Sequence, residues 1–160
     1  MRQALEKGNI NVPKYLKTGK NLQLSKIAEF NYPLIVKPTD RSGSRGVTLI
    51  NDSKEIKDAI NNAISYSYEK KAIVEEYIDG DEYSCECISY KGKHHLLAIT
   101  KKYTTGAPHF IETGHIEPSG LDEKTIEIIQ NEIFKALDVL HIENSASHSE
   151  FKITSTGEIK

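Results

Sequence analysis

The sequence lacks three features that would point to particular classes of protein. Its net charge is only −2 over 160 residues, so it has no excess of the basic side chains that give nucleic-acid-binding surfaces their affinity. No apolar run approaches the roughly 20 residues that a membrane-spanning helix needs. The first ten residues have no apolar core of the kind found in signal peptides. We therefore expect a cytoplasmic protein with neither nucleic-acid nor membrane partners.

Cysteine is also scarce, and the two residues present, Cys85 and Cys87, are separated by one position. In a strand this spacing places both thiols on the same face. Side chains at i and i+2 do not favour a disulfide bond, and no Cys or His lies at the spacing of a zinc site. The pair is expected to be reduced and buried in a core.

Short strands dominate the first half of the sequence. The segments "NYPLIVKP" and "GVTLIN" predict two antiparallel strands on either side of a polar loop, and "AIVEEYI" predicts a third strand. Between them, Asp52 and Glu55 form a capping box in front of a helix with apolar residues at helical spacing. Further on, "EYSCECISYKG" and "HHLLAITKKY" predict a long hairpin that turns at Lys91–Gly92.

The second half ends in a loop, a helix and an incomplete hairpin. The segment "TTGAPHFIETGHIEPSG" has no period and is rich in glycine and proline, so it is predicted to be a loop. A helix is predicted from about Asp122 to Leu140. The last residues predict a strand, a turn and a return strand that starts at Glu158. Since that return strand would leave its partner largely unpaired, we expect the chain to be cut inside a strand of a longer protein.

This order of elements predicts an α+β protein with two lobes and mainly antiparallel sheets. The first lobe is expected to comprise residues 1–76 with the polar loop, and the second lobe residues 77–160, truncated at its C-terminus. Two lobes joined by a short segment commonly clamp a ligand.

The polar loop "TDRSGSRGV" follows directly after Lys37 and Pro38. Gly43 and Gly46 permit positive φ, and backbone amides in such a loop can approach an anion closely. The loop has no Gly-Lys-Ser/Thr and no helix follows it, so it is not a Walker A loop. Taken alone, it leaves two interpretations open, a lid over phosphates and a plain hairpin loop with solvated arginines.

Two further segments carry carboxylates that could act in binding. In "IVEEYIDGDEYS", backbone groups could pair with a planar heterocycle and a following carboxylate could accept hydrogen bonds from ribose. The alternative is an acidic, solvated strand end. In "SHSEFKITSTGEIK", Glu150 is a candidate Mg²⁺ ligand if a second oxygen ligand lies nearby.

In their order and spacing, these three segments together resemble the ATP-grasp superfamily. The resemblance implies the ATP-grasp fold, in which two α+β lobes with mainly antiparallel sheets clamp a nucleotide. It also implies a role for individual residues. Lys37 would contact the α-phosphate and the adenine edge, Ser42, Gly43 and Ser44 would cover the β- and γ-phosphates, and Glu82 would bind ribose. Glu75 would lie at the adenine amino group, and backbone groups of Glu76 and Ile78 would recognise the ring. The other implied nucleotide-binding residues are Gly46, Val47 and Tyr77.

For the metal site, the resemblance implies that Glu150 holds Mg²⁺, with Mn²⁺ as an alternative metal. The segment "HFIETGHIEPSG" resembles the subgroup that joins amino acids or handles carbamoyl-phosphate-type substrates, which makes Lys101 and His115 candidates for the substrate or the γ-phosphate. A loop-ordering hydrogen bond is the alternative role for His115. The family's first phosphate-contacting lysine would precede Met1, and its further metal ligands, Glu and Asn, would follow Lys160.

The implied function is that of the ATP-binding domain of a ligase that joins a carboxylate to an amine, or to a thiol, through an acylphosphate. Small-molecule carboxylates and amines and the remaining domains of the parent chain would be its partners, and the chain by itself is expected to have little activity. Two alternatives stay open: a nucleotide-binding regulatory module without turnover, and a protein-interaction domain whose glycine loop is a flexible hairpin.

Overall fold

Two four-stranded antiparallel sheets organise the described part of the chain, which comprises residues 1–19 and 24–160 of a computed structural model. The residues divide into two units that are each discontinuous in sequence. Unit A consists of Pro13–Tyr77 and Thr104–Glu112, and unit B of Met1–Val12, Ile78–Tyr103 and Thr113–Lys160. These units differ from the predicted division after residue 76 in where they place residues 1–12, Tyr77 and residues 104–112. That division into functional lobes stays a prediction.

The sheet of unit A has the strand order β1-β4-β2-β3, and every neighbouring pair is antiparallel. Its strands are β1 (Tyr15–Thr18), β2 (Leu34–Pro38), β3 (Thr48–Ile50) and β4 (Ala72–Glu76). Its helices are α2 (Leu24–Ile27) and α3 (Ile56–Tyr66).

Alternation along β2 and β4 decides which side chains of unit A enter the core. Leu34 and Val36 of β2 and Val74 of β4 are fully buried, and they pack with the apolar face of α3. The predicted capping box is present, because Asp52 accepts from the Lys54 amide and Glu55 accepts from the Asp52 amide. It begins a short 3-10 turn at Ser53–Glu55 that leads directly into α3.

The sheet of unit B has the order β7-β6-β5-β8. Its strands are β5 (Asp81–Tyr90), β6 (Lys93–Thr104), β7 (Glu112–Ile116) and β8 (Ser145–Ile153), and its helices are α1 (Arg2–Lys7) and α4 (Glu123–Val139). Asp122 caps α4 by accepting from the Thr125 amide at 3.0 Å. The buried face of α4 packs against the sheet through Ile129, Ile133 and Leu137.

The two cysteines lie in the core of unit B, as predicted. Cys85 and Cys87 are both buried and form no disulfide, and their sulfur atoms share a hydrogen bond at 3.6 Å. Burial raises the pKa of the Cys85 thiol well above its usual range, so the thiols are packing groups here.

The loop prediction for residues 104–120 was wrong in part, because Glu112–Ile116 forms the edge strand β7. Four of the five residues of β7 are exposed, so the segment has no apolar alternation by which a sequence pattern would predict a strand. Its pairing with β6 is a tertiary effect. The predicted return strand at the C-terminus is present only as an isolated antiparallel bridge from Ile159 to Ile153, beside which Lys160 exchanges two backbone hydrogen bonds with Lys152.

Among the helices of the described residues, none has the length and apolar character required to cross a lipid bilayer.

Neighbouring isoleucines of α4 provide a matched test of the core of unit B. Ile129 is 0 % exposed and Ile128 is 48 % exposed. We expect Ile129→Ala to lower the free energy of unfolding of unit B by about 2–5 kcal/mol, because it opens a cavity. The control Ile128→Ala should change it by less than about 1 kcal/mol. Urea unfolding followed by circular dichroism measures both, and equal losses would contradict this account of the core.

Candidate functional site

An ion pair with a buried carboxylate joins two of the residues that the family resemblance implied for nucleotide binding. The Lys37 ammonium lies 2.6 Å from the Glu75 carboxylate, and their side chains are 35 % and 5 % exposed. In the register of β2 and β4, Lys37 lies opposite Ile73, and Glu75 is two residues further along β4. Diagonal neighbours on one face of a sheet are within reach of long side chains, so the pair follows from strand register.

The burial of the Glu75 carboxylate makes its ion pair with Lys37 important for stability. A carboxylate removed from water is costly unless a cation or hydrogen bonds compensate it. Glu75 therefore requires a positive group, and Lys37 supplies it from the last positions of β2. As a result the ammonium is held directly before the glycine loop, where it is still partly accessible to an anion.

Three residues of the glycine loop, Gly43, Ser44 and Gly46, have left-handed backbone conformations. Gly43 has φ +65° and Gly46 has φ +75°, and Ser44 also has a positive φ of 54°. A positive φ is unfavourable for a residue with a Cβ, so the conformation of Ser44 needs support. Its hydroxyl donates to the Phe110 carbonyl at 2.9 Å, and the Val47 amide donates to the Ser44 carbonyl at 3.3 Å.

The last residue of β4 and the residue after it already donate backbone hydrogen bonds. The Glu76 amide donates to the Lys14 carbonyl at 3.0 Å, and the Tyr77 amide donates to the Pro33 carbonyl at 3.2 Å. The Glu76 carboxylate accepts from the Lys14 amide at 3.1 Å. Recognition of a ring by Glu76 would therefore use its carbonyl oxygen and not its amide.

In unit B, a buried lysine lies between carboxylates of two neighbouring strands. The Lys102 side chain is 3 % exposed; its ammonium lies 3.5 Å from a Glu82 oxygen and pairs closely with Glu150. Strand register explains the group, because Glu82 of β5 lies opposite both Lys102 of β6 and Lys152 of β8. Two predicted site residues, Glu82 and Glu150, are thus brought to one cation.

His148, to which the sequence assigned no role, extends this row of charges. Its ring nitrogens lie 2.6 Å from Glu86 and 3.3 Å from Glu150. Burial lowers the pKa of His148, but the hydrogen bonds with Glu86 and Glu150 outweigh it and raise this pKa above its ordinary value. Burial likewise raises the pKa of Glu150, and its bonds with Lys102 and His148 lower it below the ordinary value.

The described residues do not by themselves fit a complete magnesium site. Within residues 1–19 and 24–160, no three or more His, Cys, Asp or Glu side chains are arranged to hold a metal ion. Magnesium requires octahedral oxygen ligation, usually shared with phosphates and water. Glu150, which already bonds to Lys102 and His148, would contribute one such ligand.

The two substrate candidates lie on the strands β6 and β7. Lys101 points to the opposite face of β6 from Lys102, as strand alternation requires, and pairs with Asp81 at 2.8 Å. This hydrogen bond raises the pKa of Lys101. His115 is an exposed residue of β7 and not of a loop. The substrate roles of both residues stay predictions.

A β-bulge decides which of two adjacent lysines of β6 lies opposite Glu82. Tyr90 pairs with Lys93 beside the hairpin turn, but the register shifts by one residue between Glu86 and Cys87. Without the bulge, counting back from the turn would place Glu82 opposite Lys101. With it, Glu82 lies opposite Lys102. The sequences of β5 and β6 otherwise have a regular strand pattern, so nothing in them indicates the extra residue of the bulge.

Comparison with known proteins connects these features to a family. Residues 30–160 match the ATP-grasp domain model. Alanine–anticapsin ligase of Bacillus subtilis (strain 168) is 31% identical over 187 residues, which covers 99% of this chain and 38% of that protein. D-Alanine–D-alanine ligase of Clostridium beijerinckii is 25% identical over 146 residues, covering 83% of this chain and 48% of the relative.

A solved structure gives the same result for the fold. The VanG D-Ala:D-Ser ligase from Enterococcus faecalis superimposes with a TM-score of 0.87 at 21% identity, covering 98% of this chain and 48% of that chain. The chain thus spans between about a third and a half of the lengths of these proteins. The match to the domain model covers most of its residues, and the chain belongs to the ATP-grasp domain family.

Proposed function

We propose that this chain is the ATP-binding part of a ligase that joins a carboxylate to an amine through an acylphosphate, and that its substrates are amino acids. The names of two relatives, alanine–anticapsin ligase and D-alanine–D-alanine ligase, support amino acids as the substrate class. Carbamoyl-phosphate-type chemistry has no such support from these names.

The contact between Lys37 and Glu75 carries the proposal. The two residues were assigned to one nucleotide from segments far apart in the sequence, and their charged atoms are 2.6 Å apart. In the proposed complex, Lys37 contacts the α-phosphate and Glu75 lies at the adenine amino group. An ammonium whose position is already set by a buried carboxylate loses little freedom when phosphate arrives, which favours binding.

The glycine loop is proposed to cover the β- and γ-phosphates with backbone amides and serine hydroxyls of Ser42–Val47. For Ser44 this has a geometric consequence. Its hydroxyl has one proton, which is directed to the Phe110 carbonyl, so donation to a phosphate requires that this hydrogen bond breaks. The same holds for the Val47 amide, which donates to the Ser44 carbonyl at 3.3 Å.

The proposed roles in unit B are binding of ribose by Glu82 and contribution of one oxygen ligand to Mg²⁺, or Mn²⁺, by Glu150. Lys102 touches both carboxylates, and we add it to the proposed site as the cation that holds them in place. In the absence of Lys102, two carboxylates on neighbouring strands would repel each other. Lys101 and His115 stay the candidates for the substrate side.

Lys37→Ala tests the phosphate contact. The substitution should weaken Mg-ATP binding by about 1.5–3 kcal/mol, the range for a hydrogen bond to a charged group. Isothermal titration calorimetry on this chain measures the change. Lys17→Ala is the matched control, because Lys17 is an exposed lysine in β1 of the same sheet, and it should bind as the wild type does. Equal affinity of the wild type and Lys37→Ala would refute the proposed placement of the α-phosphate.

Turnover separates a ligase from a regulatory module that only binds nucleotide. For the longest natural polypeptide that contains this chain, we expect release of ADP that depends on added amino acids. Hydroxylamine should trap the acylphosphate as a hydroxamate. Nucleotide binding without ADP release, for a full panel of D- and L-amino acids, would instead favour the regulatory module.

A further inference from the structure

The glycine loop is fastened at its first residues to the segment that connects α3 with β4. The Thr39 amide donates to the Lys71 carbonyl at 3.4 Å. The Asp40 carboxylate accepts from the Glu69 amide at 2.8 Å, and that bond is the main reason that the pKa of Asp40 is below its usual value.

Arg41 makes the most specific of these attachments. Its Nε donates to the carbonyl of Tyr66, the last residue of α3. The carbonyl end of a helix is favourable for a cation. The guanidinium also lies over the ring of Tyr68, 3.5 Å from the ring centroid, in the geometry of a cation–π interaction. Arg41 thus has polar and stacking partners within unit A without any ligand.

The other end of the loop rests on the same segment. A Cβ added at Gly46 would lie 2.9 Å from the Tyr66 ring and 3.0 Å from Pro38, so the backbone there packs closely on the tyrosine. At Gly43, in the tip, an added Cβ would meet no atom within 4 Å. Both ends of the loop are therefore supported by residues 66–71, while the tip at Gly43 is open.

We propose that Arg41 is a positioning residue for this loop, which acts through the Tyr66 carbonyl and the Tyr68 ring and does not bind phosphate itself. The inference rests on the proposed function, in which the loop covers the phosphates of ATP. A loop with two glycines loses much conformational freedom on ordering. An attachment that restricts it before the ligand arrives reduces that cost and strengthens binding.

A double-mutant cycle between Arg41 and Tyr68 tests the inference. In calorimetric titrations with Mg-ATP, Arg41→Ala and Tyr68→Ala should each weaken binding by about three- to tenfold. The double variant should lose clearly less than the product of the two losses, since both remove the same interaction. Tyr68→Phe keeps the ring and is the matched control, with affinity close to the wild type.

A phosphate-binding Arg41 would give a different pattern. Arg41→Ala would then weaken binding strongly, Tyr68→Ala would have little effect, and the two losses would multiply. That result overturns the inference.

A second measurement is independent of ATP. Backbone ¹⁵N order parameters for Gly43–Val47 in the ligand-free chain should fall in Arg41→Ala and Tyr68→Ala, from about 0.85 towards about 0.6, and should be retained in Tyr68→Phe. Unchanged order parameters would overturn the inference. A wild-type chain that binds no ATP would overturn the proposed function, and the order parameters would still decide the role of Arg41.

Discussion

The buried carboxylate of Glu75 is the constraint on which the arrangement of unit A depends. An ionised carboxylate that is 5 % exposed needs a cation, and antiparallel pairing of β2 with β4 brings Lys37 within reach of it. Since Lys37 stands one residue before the end of β2, the ammonium is fixed where the glycine loop begins. One electrostatic requirement therefore connects strand register, the position of a positive charge and the loop that we propose to cover phosphates.

Unit B also contains a buried charged side chain, but there the buried charge is positive. There the buried group is the ammonium of Lys102 in β6. The carboxylates of Glu82 in β5 and Glu150 in β8 compensate its charge. His148 continues the row by bonding to Glu150 and Glu86. Each unit thus buries one member of a lysine–glutamate contact and leaves its partner more exposed, so that a charged group of the contact is still accessible to a ligand. In both units, the residues involved include those that the resemblance implied for nucleotide or metal binding.

Sequence reasoning predicted the strands and helices that have a strong local signal. The apolar spacing of α4, the capping box at Asp52 and the antiparallel strands around the glycine loop were all predicted, and the family was identified from three short segments. What could not be predicted depends on tertiary pairing. The polar edge strand β7 has no apolar alternation, and a one-residue bulge at Leu97 in β6 decides that Lys102, and not Lys101, lies opposite Glu82. The use of Arg41 to anchor the loop on Tyr66 and Tyr68 depends on contacts between residues about 25 positions apart.

The central claim is that the glycine loop and the segment after β4 respond to the same nucleotide. Titration of the ¹⁵N-labelled chain with Mg-ATP, followed through backbone amide signals, tests it most directly. We expect saturable shifts at Gly43 and Gly46 and at Tyr77 and Ile78 that share one dissociation constant. If millimolar Mg-ATP left the loop signals in place, the loop would be a plain hairpin connection and the account would be contradicted.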